Sequence, residues 1–191
     1  MLLGIVGLNG AGKDTVAHYL VEKHGFFHKD FGQEIRDELK VLGKNSLDRN
    51  EMVFLSNERR QKFGFNYWAK RLLAGYSKEK NLVLTSIRNP AEVDEIKSNG
   101  GVMIEVFADI NTRFARTVER VKNDPSAHGD IVSFEDFKSK EERELKSADP
   151  SKQQLLKCIE LAEYRLDNNG SVEELNIGIE KLFKKVKNKK N

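Results

Sequence analysis

Two hydrophobic rhythms alternate along the chain. Unbroken apolar runs at Leu2-Leu3-Gly4-Ile5-Val6, Leu82-Val83-Leu84-Thr85 and Val102-Met103-Ile104-Glu105-Val106-Phe107 predict strands. Phe26-Phe27-His28 and Tyr164-Arg165-Leu166 predict two shorter ones, the second closed by the turn Asp167-Asn168-Asn169-Gly170. Between the runs the period changes. Phe31, Ile35, Leu39 and Leu42 are spaced 4, 4 and 3, which places them on one helix face. Asp48 to Phe63 and Tyr67 to Leu73 predict further helices, and Pro90 opens another at its first turn. Phe114, Val118 and Val121 form an apolar stripe, and Ser133 caps a predicted helix that runs to Arg143. Ser171-Val172-Glu173-Glu174 is a capping box. After it Val172, Leu175, Ile179, Leu182 and Val186 repeat at 3, 4, 3 and 4, so the last helix covers the core.

Strands alternating with helices predict an α/β fold, a central parallel five-stranded sheet with helices on both faces. Ligands bind such sheets at the carboxyl ends of the strands. The residues leaving those ends are Gly7 to Thr15, Lys29-Asp30, Ser86-Ile87-Arg88 and Asp109.

The first of these carries the strongest signal. Gly7-Leu8-Asn9-Gly10-Ala11-Gly12-Lys13-Asp14-Thr15 joins a strand to a helix, the setting of a phosphate-binding P-loop. Its glycines let several N–H groups point at one polyphosphate, the positive end of the helix dipole faces the anion, and Lys13 adds a mobile charge. Asp14 stands where a P-loop ordinarily has Ser or Thr to meet magnesium. A carboxylate is a hard oxygen ligand, so Asp14 is expected to touch the metal, directly or through water, with Thr15 in support. The alternative is that Asp14 caps the helix. A dinucleotide-binding loop fits less well, because Thr15 stands where its third glycine belongs.

The chain has 191 residues, 38% hydrophobic and 33% charged, with a net charge of +3. No apolar run approaches a membrane span and no signal peptide is visible, so a cytoplasmic protein is expected. The single cysteine, Cys158, excludes an internal disulfide and a cysteine metal site. The four histidines lack metal-ligand spacing and are expected on the surface. The basic tail around Lys184, Lys185 and Lys187 reads as a solvated helix end rather than a nucleic-acid contact.

Transfer of phosphate between two anions requires cations for both. Arg36 lies off the apolar face of its helix, Arg88 leaves the third strand, and Arg113, Arg116 and Arg120 share one polar face. With these residues the chain resembles the P-loop nucleoside monophosphate kinase superfamily, which includes adenylate, deoxynucleoside monophosphate and dephospho-CoA kinases. Gly12-Lys13-Asp14-Thr15 is similar to the phage-type deoxynucleoside monophosphate kinases. Phe31-Gly-Gln-Glu-Ile-Arg36 resembles the acceptor-binding helix, and Thr85-Ser-Ile-Arg88-Asn-Pro90 the segment whose arginine grips the acceptor phosphate. Asp109 to Arg120 resembles the element leading to the lid, and Ala162 to Leu175 the ending of dephospho-CoA kinases, where the turn lies by the adenine.

The resemblance implies a P-loop NTPase fold as one domain over 1–191, an acceptor insert at about 31–80 and a lid at about 122–147. It implies ATP and Mg2+ as cofactors, with Gly7, Asn9, Gly10, Ala11, Gly12, Lys13, Asp14, Thr15, Arg116 and Arg120 binding ATP. Lys13, Arg88, Arg143 and Asp30 are the expected catalytic residues, with Arg143 as the lid arginine. Arg36 and Arg88 hold the acceptor. Trp68 and Tyr67 are expected in the core, with a pocket wall as the alternative. The expected activity is transfer of the γ-phosphate to a nucleoside or deoxynucleoside monophosphate. Dephospho-CoA is the alternative acceptor, with Asp30 as its base, and a nucleotide-binding regulatory ATPase is the rival of another class. Monomer and homodimer both stay open.

Overall fold

β1 (Leu2–Val6) is buried along its whole length because it lies in the middle of the sheet. It pairs in parallel with β3 (Leu82–Thr85) on one side and β4 (Val102–Phe107) on the other, with Leu3 opposite Val83 and Ile5 opposite Ile104. The full order is β2-β3-β1-β4-β5, with β2 (Phe27–Asp30) and β5 (Tyr164–Asp167) at the edges, and every pairing is parallel. The computed structural model describes residues 1–123, 133–145 and 149–189; within them the side chains at 140, 143, 144 and 189 lie outside the description.

Alternate residues of the central strands feed two cores, as the period of a strand requires. Leu3, Ile5, Val83 and Ile104 meet Val16, Ala17 and Leu20 of α1 (Lys13–His24) and Leu175 and Ile179 of α9 (Val172–Lys189). Leu2, Val6, Leu84 and Met103 face the other way. There they meet α2 (Phe31–Val41), α3 (Arg49–Phe63), α4 (Tyr67–Leu73) and α5 (Pro90–Ser98). Trp68 is fully buried in this layer and its indole N–H donates to the Ser56 carbonyl at 3.2 Å. Burying a ring of that size contributes about 3 kcal/mol, and the hydrogen bond removes the cost of its one polar atom. The fold is thus the expected three-layer αβα sandwich.

The caps predicted at Ser171 and Ser133 form, and Asn89 and Asp48 supply two more. Ser171 and Glu174 exchange hydrogen bonds at the start of α9, and Asn89 and Glu92 do so at α5, with Pro90 at its first position. Asp48 caps α3, and Ser133 caps α7 (Phe134–Leu145). α6 (Ile110–Asn123) packs on α7 through Phe114, whose ring centroid lies 5.3 Å from Phe134 and 5.7 Å from Phe137.

Two elements depart from the hydrophobic pattern. β2 runs from Phe27 to Asp30 rather than from Phe26 to His28. As an edge strand it is held by backbone pairing to β3, not by apolar side chains, and Phe27 is 62% exposed. α8 (Leu155–Glu160) was not predicted; it buries Leu155 and Cys158, too little to show a period. The segment before it is fastened to the β3–α5 turn. Asn89 Nδ2 donates to the carbonyls of Pro150 and Lys152 at 2.7 and 3.2 Å, and Gln154 N–H donates to the Arg88 carbonyl at 2.8 Å.

Candidate functional site

The turn from β1 into α1 is built around two positions that tolerate no side chain. Gly12 adopts a left-handed backbone (φ 95°), and a Cβ there would run into the Asn168 amide. Gly7 (φ 149°) brings the chain so close to β4 that a Cβ would meet the Val106 carbonyl. Gly12 is the N-cap of α1, and no side chain caps the helix. The first-turn N–H groups are therefore left for a ligand, and an anion suits them. Asp14 lies exposed in that first turn without capping it, and Thr15 beside it is exposed as well.

Lys13 bends back so that its ammonium donates to the Leu8 carbonyl at 3.0 Å. Crowding by protein lowers its pKa to about 8, and the positive charge of Arg88 adds to the effect; Asp14 and Asp30 oppose it and Arg113 reinforces it. Some of the side chain still reaches solvent. Five charged groups from four parts of the chain thus act on one another around the loop.

Asn9 shows how the loop is gripped. Its side-chain oxygen accepts from Arg88 Nη2 at 3.3 Å, and its carbonyl accepts from Arg113 Nη1 at 3.2 Å. Arg113 is 3% exposed. Its Nε donates to the Ala108 carbonyl at 2.9 Å, and its fork meets the Glu141 carboxylate of α7, with Nη2 3.0 Å from Oε1. The expected polar face of Arg113, Arg116 and Arg120 is therefore divided. Arg113 turns inward and ties together β4, the P-loop and α7, whereas Arg120 is exposed. Arg116 lies between, and its Nη1 donates to the Asn168 carbonyl at 2.9 Å. Asn168, buried after β5, donates to the Ala11 carbonyl at 2.8 Å. The turn after β5 is thereby fixed against the P-loop.

On the other side of β1 the end of β2 meets the end of β3. Asp30 is the last residue of β2 and the N-cap of α2, where its Oδ1 accepts from Gln33 N–H at 2.8 Å. Its Oδ2 accepts from the Thr85 hydroxyl at 2.8 Å and from the Ser86 hydroxyl. Ser86 is the one non-glycine residue with positive φ (62°) among the described residues, a conformation that costs about 1–3 kcal/mol and persists where neighbours fix it. Arg36 reaches Asp30 Oδ1 only at 3.5 Å and its Nε donates to Gln33. His28 is not on the open surface as expected: it is half-buried and its Nε2 lies 2.7 Å from Thr85 Oγ1.

Arg88 is held through its backbone. Its N–H donates to Glu92 Oε2 at 3.0 Å, as the Asn89 N–H does at 3.1 Å. Glu92 Oε1 accepts from Arg60 Nε and Nη2 at 3.0 and 2.8 Å in a pair that is 0% and 3% exposed. Sequence spacing gave no sign of this pair, because its partners are 32 residues apart. Asp109 is a structural cap: it accepts the Thr112 N–H and hydroxyl, which hold its carboxyl below the usual range. The expected lid at 122–147 lies partly outside the described residues, and so does the side chain of Arg143. Among the described residues no three carboxylate, histidine or cysteine groups form a metal cage. No helix among them is long and apolar enough to cross a membrane.

A P-loop at the middle strand, flanked by Arg88 beyond β3 on one side and by Arg113 and Arg116 of α6 on the other, defines a kinase-like P-loop NTPase. The family model described as AAA domain matches residues 3–145. A UPF0200 protein of Methanothrix thermoacetophila is 30% identical over 146 residues, 75% of this chain and 78% of the relative. Another, from Thermoplasma volcanium, is 28% identical over 171 residues, 88% of each. Among solved structures, shikimate kinase from Bacteroides thetaiotaomicron superposes with a TM-score of 0.59 at 13% identity, covering 98% of both chains. A gluconokinase from Sinorhizobium meliloti does so at 0.54 and 13%, covering 100% and 97%. The chain belongs to the AAA domain family and to the UPF0200 proteins.

Proposed function

We propose that the protein is an ATP-dependent kinase that passes the γ-phosphate to a hydroxyl group of a small anionic acceptor. The observation that carries this reading is Asp30. Its carboxylate is aimed by Gln33, Thr85 and Ser86 and stands near enough to Lys13 for its charge to oppose the lowering of the lysine's pKa. The order β2-β3-β1-β4-β5 puts this acceptor side and the Arg116–Asn168 side on opposite flanks of the P-loop. ATP enters over the P-loop, its base towards Arg116 and Asn168 and its outer phosphates at Lys13. Mg2+ supplies charge neutralisation on those phosphates when bound, and Asp14 and Thr15 fit it because this ion keeps most of its waters and needs only one or two protein oxygens.

Arg36 holds Asp30 at the limit of bonding distance, so an anionic acceptor draws it away and frees a lone pair on Oδ1. The acceptor O–H proton then passes to that oxygen, the acceptor oxygen attacks the γ-phosphorus, and the bond to the bridging β–γ oxygen breaks with release of ADP. Dephospho-CoA belongs to this class of acceptor. A second reading, a nucleoside or deoxynucleoside monophosphate acceptor, is supported by Arg36 and Arg88 together, two forks suited to phosphate. A phosphate acceptor is already ionised, needs no base, and would be repelled by a carboxylate at its entry, so we place it second.

Purified protein, ATP and Mg2+ with dephospho-CoA, hydroxy acids and a panel of monophosphates, read by product chromatography, tests both. For a hydroxyl acceptor Asp30→Asn lowers turnover by about 10²–10⁴-fold; a monophosphate kinase keeps its rate. ATP consumption that no acceptor raises above hydrolysis would leave the regulatory ATPase as the better reading.

A further inference from the structure

The Asp30 network has a direction, and a residue outside the site sets it. Thr85 is fully buried at the end of β3, opposite Asp30 in the parallel register. Its hydroxyl oxygen lies 2.8 Å from Asp30 Oδ2 and 2.7 Å from His28 Nε2. A hydroxyl has one proton and an ionised carboxylate only accepts. The Thr85 proton therefore belongs to Asp30, and His28 Nε2 must carry a proton and donate it to Thr85. The bonds run one way, from His28 through Thr85 to Asp30. In the other tautomer, Nε2 would compete for the Thr85 proton and release Oδ2.

We propose that His28 is a positioning residue of the phosphoryl-transfer site, which as the Nε2–H tautomer commits the Thr85 proton to Asp30 Oδ2 and so turns Oδ1 towards the acceptor. This inference rests on the reading of Asp30 as the base. Ser86 supports it from the other side, since its strained backbone places a second hydroxyl on the same Oδ2. Burial lowers the His28 pKa and favours the neutral ring; Asp30 and Asp14 oppose that effect, and His18, whose ring meets His28 edge-on at 6.2 Å, adds to it. A neutral ring has two tautomers, and the hydrogen bond the ring makes selects between them.

Nitrogen-15 resonances of the His28 ring read the tautomer directly, with His28→Gln supplying the assignment. The wild type is expected to show Nε2–H, Thr85→Val a mixture, and Thr85→Ser the wild-type state. Turnover is measured on ATP–Mg2+ alone, where water is the hydroxyl acceptor, and on ATP–Mg2+ with dephospho-CoA. Thr85→Val and His28→Leu should each lower kcat about tenfold, the worth of one hydrogen bond, at unchanged KM for ATP. Thr85→Ser and His28→Gln should restore most of the loss. An Nδ1–H wild type, unchanged kcat in both Thr85→Val and His28→Leu, or a loss confined to the KM for ATP overturns the inference. Asp30→Asn separates the two levels: full activity there brings down the base itself, whereas a dead Asp30→Asn beside a normal Thr85→Val leaves the base standing and removes only the role of His28. A wild type inert to water, dephospho-CoA and hydroxy acids alike overturns both.

Discussion

Raising the pH removes the charge of Lys13 well before the ordinary lysine value is reached. Its pKa of about 8 follows first from burial and then from Arg88. The Cys158 thiol, which ordinarily ionises near that range, is pushed up by burial and stays neutral. With a pKa of about 8, Lys13 is about nine-tenths charged at pH 7 and about one-tenth at pH 9. If the polyphosphate binds only the charged form, the Kd for ATP rises roughly tenfold over those two pH units, about 1.4 kcal/mol. Each ATP bound at pH 9 then takes up nearly one proton. Isothermal titration in two buffers of different ionisation enthalpy measures both quantities. Lys13→Arg, which stays charged, should bind with little dependence on pH. A wild-type Kd that is flat from pH 7 to 9, or a slope that survives in Lys13→Arg, would refute the argument. Stability gives an independent check. The lysine titrates near 10.5 when unfolded and near 8 when folded, so the unfolded chain binds more protons between those values and stability rises with pH through that window. Below about 8 the cost is fully present, and Lys13→Met should be more stable than the wild type at pH 7, by up to about 3 kcal/mol less a discount for the solvent that still reaches the side chain.

Glu92→Ala strands the buried Arg60 guanidinium and frees the Arg88 and Asn89 N–H groups; urea denaturation should show a loss of about 3–5 kcal/mol, and a loss below about 1 kcal/mol would contradict a buried pair. Gly12→Ala forces a Cβ onto the Asn168 amide in a left-handed conformation; we expect weaker ATP binding and a stability loss of about 1–3 kcal/mol, read by titration and thermal melting. Asp14→Ala should shift the midpoint of activity against Mg2+ upward and Asp14→Ser should recover part of it; equal midpoints in all three proteins would leave Asp14 without a role at the metal. Arg36→Lys keeps the charge but loses the fork, so the acceptor KM should rise while ATP binding, measured separately, stays near normal.

The layers of this fold are legible in the sequence because they rest on local patterns. β1, β3 and β4 are continuous apolar runs, and the caps at Ser133 and Ser171, together with Pro90, declare their helices. The P-loop is legible for the same reason, since its glycines, lysine and flanking elements are contiguous. What was not legible depends on where a helix lands. Arg113 shares a polar face with Arg116 and Arg120 by spacing, yet α6 crosses the P-loop so closely that a Cβ on Gly10 would lie 2.7 Å from the Arg113 carbonyl. That crossing buries one arginine of the three. Asn168 reads as a turn residue, and only the register of β5 beside β4 brings it to Ala11. Likewise His28, Thr85 and Asp30 become one network through the pairing of β2 with β3 across more than fifty residues. The signal available in the sequence was that each of these polar residues lies at or next to the carboxyl end of a predicted strand.

The fastenings on either side of the stretch between α6 and α8 bear on where the chain tolerates a change of length. At the near end Arg113 is locked to Ala108 and Asn9; at the far end Asn89 holds the carbonyls of Pro150 and Lys152, and Gln154 is bonded to Arg88. The intervening chain enters and leaves from two fixed posts. Doubling the length of a chain segment between fixed ends costs only about 0.6 kcal/mol of closure entropy. Insertions and deletions that spare α7, whose Glu141 pairs with the buried Arg113, leave both posts where they are. The fold thus keeps a phosphate-binding frame whose position does not depend on the length of the chain that joins α6 to α8, provided the Arg113–Glu141 tie to α7 is kept.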